Sequence, residues 1–370
     1  MYDNKNRALI LLLILTLVFS LFTVYIYSEG LPGVSAKSAA LYEPETDSFL
    51  YTKEANRRLP MASTTKIMTA LLALEQLSPN EPVTVDSRAV GIEGSSVYLT
   101  AGETMNAIDL VYAVLLQSAN DAAAALAYKI SNSIEGFAEL MNERARALGL
   151  VDTNFTNPHG LDDKEHYTSA HDLALIAAAA LKNEDFKTIS STYKKEIESS
   201  DKTRLVVNHN KMLKTYDGCI GVKTGFTKKS GRCLVSAAER DGLTMISVTI
   251  DAPDDWRDHK ALLDYGYSLL EAKILATPGE FSYEIPILAG TSNFVRVSNV
   301  NGIKKIFKRG EGDIETHIKL SKYFAAPINK GDILGVVIFT KDGEEIAALD
   351  LVAEESVNIP TKKKGFFSIK

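Results

Sequence analysis

The chain has 370 residues, 45% of them hydrophobic and 24% charged, which is the balance of a folded globular protein and too much chain for one small domain. Its net charge of -6, with no basic patch interleaved with aromatics, argues against nucleic acid as a partner. Six histidines and two cysteines show no metal-ligand spacing, so no metal and no other cofactor is expected.

Ala8–Tyr27 carries no charge and follows Lys5 and Arg7, so residues 1–36 read as a signal peptide or an N-terminal membrane anchor. Its length of about one bilayer span favours the anchor. Val34-Ser35-Ala36, however, offers a small-residue cleavage site. Either version exports the rest of the chain to the outer face of the cytoplasmic membrane. The exported part opens on strand-like Ala39–Tyr42 and Ser48–Tyr51, separated by the turn-rich Glu43–Asp47. Helical periodicity dominates from Ser63 to about Asn183. Strands return at Leu205–Asn208, Ile220–Thr224, Leu234–Ala238 and Met245–Ile250, and a closing helix is expected over Trp256–Glu271. Sheet at both ends with helices between is an α/β pattern, expected as one domain over 37–275. Ala276-Thr277-Pro278-Gly279 then punctuates the chain. Beyond it come short alternating runs at Tyr283–Leu288, Phe294–Val297, Thr316–Leu320, Ile333–Thr340 and Glu345–Leu351, with the hairpin signal Asp342-Gly343 between the last two. A small all-β domain over 280–360 is expected, followed by a basic tail, 361–370. That tail, containing Lys362-Lys363-Lys364-Gly365-Phe366-Phe367, is too short for a convincing amphipathic helix.

Three polar clusters stand out in order: Ser63-Thr64-Thr65-Lys66, Ser118-Ala119-Asn120 and Lys223-Thr224-Gly225. Together they form an S-x-x-K, S-x-N, K-T-G set, which describes acyl transfer by a serine that lysine activates. Each recurs by chance elsewhere. Ser191…Lys194 and Ser199…Lys202 repeat the first, Ser78-Pro79-Asn80 and Ser356-Val357-Asn358 the second, and Lys229-Ser230-Gly231 passes for the third. Context selects among them. Ser63 follows Pro60 and opens a helical run of Ile67, Ala70, Leu71, Leu74 and Leu77, which puts Lys66 on its face one turn on. Taken alone, the pair is an N-cap serine with a solvated lysine. Ser118 falls where a helix bearing Ile108, Val111 and Leu115 ends, and Asn120 and Asp121 look like caps of an Ala-rich helix over Asp121–Ile130. Lys223-Thr224-Gly225 continues a strand, where lysine can also serve to discourage edge aggregation. Ser191 and Ser199 lie in polar surface stretches, and Lys229-Ser230-Gly231 is turn chemistry.

On these residues the chain resembles the low-molecular-mass penicillin-binding proteins, specifically the serine-type D-alanyl-D-alanine carboxypeptidases of peptidase family S11. The resemblance extends from about Ala39 to the C-terminal region, including Arg58-Leu59-Pro60-Met61-Ala62, Asn157-Pro158-His159-Gly160-Leu161 and Leu263-Asp264-Tyr265-Gly266-Tyr267. It implies the penicillin-binding/β-lactamase-like transpeptidase fold, with the active-site cleft between sheet and helices, and peptidoglycan stem peptides as substrate with β-lactam antibiotics as inhibitors. It also implies roles. Ser63 is the nucleophile and Lys66 its proton acceptor. Ser118 relays a proton to the leaving D-alanine. Asn120 binds the acyl-group amide and orients Lys66. Lys223 and Thr224, followed by Gly225, hold the terminal carboxylate. The N–H groups of Ser63 and Phe226 form the oxyanion hole.

Rival readings share the motifs. A class A β-lactamase needs a glutamate for the deacylating water, and no convincing Glu-x-x-x-Asn segment lies between Ser118 and Lys223. A peptidoglycan transpeptidase differs only in the acyl acceptor. A catalytically silent penicillin-recognising sensor would not need every motif residue intact. Cys219 and Cys233, if they flank the Phe226–Gly231 turn, are out of register for a disulfide and are expected as free thiols. His159 and His166 read as loop-ordering groups rather than catalytic bases.

Overall fold

The computed structural model describes residues 30–360. The apolar segment Ala8–Tyr27 and the basic tail lie outside the described residues. Two compact units form: one comprises the chain to Ala238 with Met245–Gly266, the other Glu239–Thr244 and the chain from Tyr267 on.

The first unit starts with β1 (Ser38–Glu43), buried throughout, and β2 (Ser48–Lys53). Helix α1 (Lys66–Gln76) follows, and its first eight residues, Lys66–Ala73, are all buried, so it is a central helix rather than an amphipathic surface one. The short strands β3 (Pro82–Thr84) and β4 (Thr104–Asn106) pair with each other. Helices α2 (Ala107–Leu116), α3 (Asn120–Ser131), α4 (Ile134–Ala147), α5 (Ala170–Leu181) and α6 (Glu184–Ser191) then close around α1. Three of these helix starts are set by local side-chain chemistry. Ser133, Ser169 and Asn183 accept from the N–H of Gly136, Asp172 and Phe186, each supplying a partner for one orphan donor. The hairpin of β5 (Lys194–Glu198) and β6 (Thr203–Val207) and the short α7 (Met212–Thr215) lead to β7 (Cys219–Thr227), β8 (Gly231–Arg240) and β9 (Leu243–Ile250). The five-stranded sheet has the order β2-β1-β9-β8-β7, leaving β7 on an edge. Helix α8 (Asp255–Leu269) follows.

Val34-Ser35-Ala36 is part of this unit. Asp258, fully buried on α8, accepts at one oxygen from Ser35 N, Ser35 Oγ and Ala36 N at 2.8, 2.7 and 3.0 Å. The Val34 carbonyl accepts from Lys53 Nζ at 3.0 Å.

The second unit is all-β. It holds β10 (Leu270–Ala276), β11 (Ser282–Leu288), β12 (Phe294–Ser298), β13 (Ile303–Lys308), β14 (Ile314–Leu320), β15 (Phe324–Ala325), β16 (Ile333–Lys341) and β17 (Glu344–Ala353). β10 and β13 form their own ribbon, and the six-stranded sheet runs β14-β16-β17-β12-β11-β15. Its core is the alternate apolar residues of several strands, among them Ile285 and Ile287, Val295 and Val297, Val337 and Phe339, and Leu349 and Leu351. Asp342 and Gly343 both take positive φ, 52° and 82°, as a two-residue hairpin requires, and they set Lys341 opposite Glu344.

Two sequence expectations are corrected. The closing helix ends at Leu269, because Leu270 and Glu271 pair with Lys308 and Phe307 as strand β10. Helix α3 is not capped by Asn120 or Asp121. It starts at Asn120, with Ala119 as an N-cap that offers no side-chain bond; Asn120 is turned to Lys66 and Glu93, and Asp121, besides accepting from Ala122 N, holds the Ser96–Leu99 stretch.

Candidate active site

The turn that carries Ser63 comes first. Ala62–Thr65 is one 3-10 turn ahead of α1, stitched by its own hydroxyls: Thr64 Oγ1 donates to Met61 O at 2.6 Å and Thr65 Oγ1 to Ala62 O at 2.8 Å. Ala62 has φ 48° and Ser118 φ 61°, so non-glycine residues in the left-handed region flank the site on both sides. Ser63 does not cap the helix. Its Oγ lies 3.1 Å from Lys66 Nζ.

Lys66 is fully buried. Besides Ser63, its Nζ meets Asn120 Oδ1 at 2.6 Å and the His159 carbonyl at 2.5 Å. Burial, reinforced by the charge of Lys223 and opposed by Asp121, holds its amine well below the usual lysine range. A neutral amine has two N–H donors and one lone pair. Two carbonyl oxygens take the donors, and the lone pair is left for the Ser63 hydroxyl.

The parts that hold Lys66 come from distant stretches. Asn120 N donates to Ser95 O, and Asn120 Nδ2 to Glu93 O. The neighbouring Asp121 fixes the same loop, accepting from Ser96 Oγ at 2.6 Å and from Val97 N and Leu99 N at 3.2 and 3.0 Å. Arg204 clamps it from the other side, donating to Val97 O and Tyr98 O and pairing with Glu103. The loop carrying His159 is folded by Asn157, whose Oδ1 accepts from Gly160 N and whose Nδ2 donates to Leu161 O. Thr69 Oγ1 ties it to α1 through Pro158 O at 2.6 Å. Gly160 has φ 85°, and a Cβ there would collide with the Ala62 carbonyl and come within 2.9 Å of Ser63 N. His166 donates from Nε2 to Thr65 Oγ1 and accepts at Nδ1 from Thr156 N. Burial lowers His159 to about 3 and His166 to about 4, so both stay neutral and serve as loop-ordering groups.

Strand β7 supplies the facing wall. Gly225 lets it approach the Ser63 turn, since a Cβ there would sit 3.0 Å from Ser63 N and 3.1 Å from Thr64 N. Ser63, Ser118, Thr224, Gly225 and Phe226 line one cleft of about 370 Å³. Lys66, Asn120 and Lys223 are buried. Lys223 is lowered by burial to about 7 and donates to Thr224 O at 3.0 Å. The cleft is completed by residues that sequence reading did not single out: Ser95, His209, Lys211, Arg232, Asp255 and Trp256. Arg232 lies opposite Phe226 in the β7–β8 register and donates to the buried Asp255 at 2.7 Å. The hairpin pattern could have yielded Arg232, whereas nothing in the sequence marks Trp256.

Of the competing motif copies, Ser191 ends α6 on the surface, Ser199 lies at the β5–β6 turn and Ser230 sits in the β7–β8 turn. Cys219 pairs with Ala238 and Cys233 with Gly225 in that hairpin, and both thiols are free, with burial pushing each up to about 11. Among the described residues no cluster of metal-ligating side chains occurs, and no helix is long and apolar enough to cross a membrane.

Comparison with known proteins places this geometry. Residues 27–254 match the D-alanyl-D-alanine carboxypeptidase family model, and residues 271–358 match the C-terminal domain of penicillin-binding protein 5. The chain is 35% identical to D-alanyl-D-alanine carboxypeptidase DacF of Bacillus subtilis, over 90% of this chain and 87% of that one. Among solved structures it is similar to penicillin-binding protein 5 of Haemophilus influenzae, at 29% identity and TM-score 0.64, covering 88% of this chain and 98% of that one. A mutant of the Streptomyces K15 DD-transpeptidase matches at 33% identity and TM-score 0.62, over 64% of this chain and all of the other. With a family model spanning the unit that carries all three motifs, and near full-length relatives bearing the same name, the chain belongs to the D-alanyl-D-alanine carboxypeptidase family, as a serine peptidase with a penicillin-binding protein 5 C-terminal domain.

Proposed function

We propose that the protein removes the terminal D-alanine from peptidoglycan stem pentapeptides through an acyl-enzyme on Ser63. Ser63 Oγ attacks the carbonyl of the penultimate D-alanine while its proton passes to the Lys66 amine. The tetrahedral oxyanion is held by the N–H groups of Ser63 and Phe226, donors of a kind worth about 2.7–4 kcal/mol each. The C–N bond then breaks, and D-alanine leaves with a proton relayed through Ser118. Water hydrolyses the ester and returns the proton to Ser63. Asn120 orients Lys66 and binds the acyl-group amide, and Thr224, with Lys223 behind it, receives the terminal carboxylate. The observation that carries this reading is the buried Lys66 amine, 3.1 Å from Ser63 Oγ with two carbonyls occupying its other hydrogen-bonding directions. β-Lactams acylate the same hydroxyl.

The catalytic domain works outside the cytoplasmic membrane, with the N-terminal segment as its tether. The bonds from Ser35 and Ala36 to Asp258 support retention of that segment, because cutting after Ala36 would strip a buried carboxylate oxygen of all three donors, Ser35 N, Ser35 Oγ and Ala36 N. The C-terminal β unit is a spacer for the catalytic unit. The likeness to a DD-transpeptidase at 33% identity favours one second reading, in which an amine rather than water takes the acyl group.

The test is D-alanine release from a peptide ending in D-Ala-D-Ala, with covalent labelling by a fluorescent penicillin. Penicillin-sensitive release with the label on Ser63, both lost in Ser63→Ala, is expected. Labelling with release only when an amine acceptor is added would make it a transpeptidase. Fast penicillin hydrolysis without D-alanine release would make it a β-lactamase.

A further inference from the structure

Strand β14 is an outer edge of the six-stranded sheet, paired on one side only, with β16. Glu315, Thr316, His317, Ile318 and Lys319 are all exposed, and only the two end residues, Ile314 and Leu320, pack partly against the core. A long edge of this kind is a template for a further strand unless proline, a bulge or charge blocks it, and the charges here, Glu315 and Lys319, block only a partner that does not match them in sign. Ile314–Leu320 holds no proline and pairs with β16 without a register shift.

The charge pattern of the edge is self-complementary. Laid antiparallel against a copy of itself about His317, the strand sets Glu315 opposite Lys319 twice, on the face that also carries His317. The other face sets Ile314 opposite Leu320 and Thr316 opposite Ile318. A shift of two residues towards the C-terminus breaks both ion pairs, a shift of two towards the N-terminus moves Lys319 out opposite Asp313, beyond the strand, and a shift of one turns apolar side chains against charged ones. We infer that β14 is a homodimerisation edge, joining two copies of this chain across a two-fold axis at His317 into one continuous sheet. Such an interface is isologous, each patch meeting itself. Seven residues per copy bury far less than the roughly 1,200 Å² of a stable complex, so the dimer is weak and reversible.

The register makes the test specific. Directly opposed residues of an antiparallel pair have Cα atoms about 4.5–5.5 Å apart, within disulfide reach. Residues 315 of the two copies would be offset by four positions, roughly 13 Å at 3.3 Å per residue. The full chain in detergent micelles, under mild oxidation, is therefore expected to give a disulfide dimer for His317→Cys and none for Glu315→Cys or the wild type. A mixture of Glu315→Cys with Lys319→Cys should cross-link again. Charge gives an independent readout by sedimentation. Glu315→Lys and Lys319→Glu each place like charges opposite one another and should weaken self-association on the order of tenfold. Mixing the two variants restores both opposite-charge pairs and should restore the dimer. Equal cross-linking at 315 and 317, no cross-linking at 317, or a product other than twice the chain mass would each overturn the inference, the last assigning the edge to a different protein. So would charge variants that associate as the wild type does.

Discussion

Asn120→Asp changes one atom's worth of shape and tests what sets the Lys66 proton affinity. Asn120 Oδ1 is 2.6 Å from Lys66 Nζ, with both residues buried. A carboxylate at that position favours the ammonium form, and an opposite charge this close moves a pKa by about 1–3 units, or roughly 1.4–4 kcal/mol. The sign follows directly. Acylation needs the neutral amine, so the rate climbs with pH through the Lys66 pKa. Raising that pKa moves the climb to higher pH by the same 1–3 units. At a pH below both midpoints the acylation rate should fall about 10–1,000-fold, and raising the pH should recover it. The assay is rapid-mixing acylation by a fluorescent penicillin across about pH 5–10, which reaches up towards the ordinary lysine value of about 10.4. Asn120 Nδ2 also donates to Glu93 O, so the variant loses that bond and its stability should drop by about 1–3 kcal/mol. Asn120→Ala loses both bonds without adding charge and serves as the control. It should slow acylation without moving the pH midpoint upward. If Asn120→Asp slows acylation equally at every pH, with its midpoint unmoved, the lysine-base argument is wrong.

Gly160→Ala should cripple the site, because its Cβ would meet the Ala62 carbonyl and Ser63 N. The expected outcome is a destabilisation of about 3 kcal/mol or more in denaturant unfolding, with penicillin labelling lost even where the chain still folds. Acid should unfold the catalytic unit through its buried histidines. His159, His166 and His259 are held near 3, 4 and 3 by burial, against an ordinary value near 6.5. Their folded-state values are depressed, so the unfolded chain binds more protons and stability is lost as pH falls from about 6.5 towards 4. Denaturant midpoints measured across that range should fall steeply. His259→Asn, away from the cleft, should lessen the slope by up to about 1.4 kcal/mol per pH unit, and an unchanged slope would remove His259 from the account.

Much of the site could be read in the sequence because each motif advertises its own local structure. Pro60 followed by an apolar helical run marks the Ser63 turn, and the apolar strand into Thr224-Gly225 marks the opposing wall. Long-range partners left no such trace. A backbone carbonyl, that of His159, holds Lys66, and no side-chain pattern announces a carbonyl. Asn120 and Asp121 have the composition of helix caps, and only the folded chain shows one bound to Lys66 and the other to Ser96, Val97 and Leu99. Trp256 reaches the cleft solely because α8 starts beside it. In the fold, β10 was hidden because Leu270–Ala276 continues the helical period of α8. It becomes a strand through pairing with β13, a tertiary contact that overrides local propensity.

The three hydrogen-bond partners of Lys66 Nζ lie 3, 54 and 93 positions away along the chain. No local fragment can therefore assemble the Ser63–Lys66 pair with its partners. It exists only once α1, the start of α3 and the His159 loop have come together. Covalent capture of a β-lactam by this chain thus counts correctly folded molecules, not polypeptide. In cells, a misfolded or half-translocated copy would be invisible to the antibiotic, and the labelled fraction of total protein becomes a direct gauge of folding yield beyond the membrane.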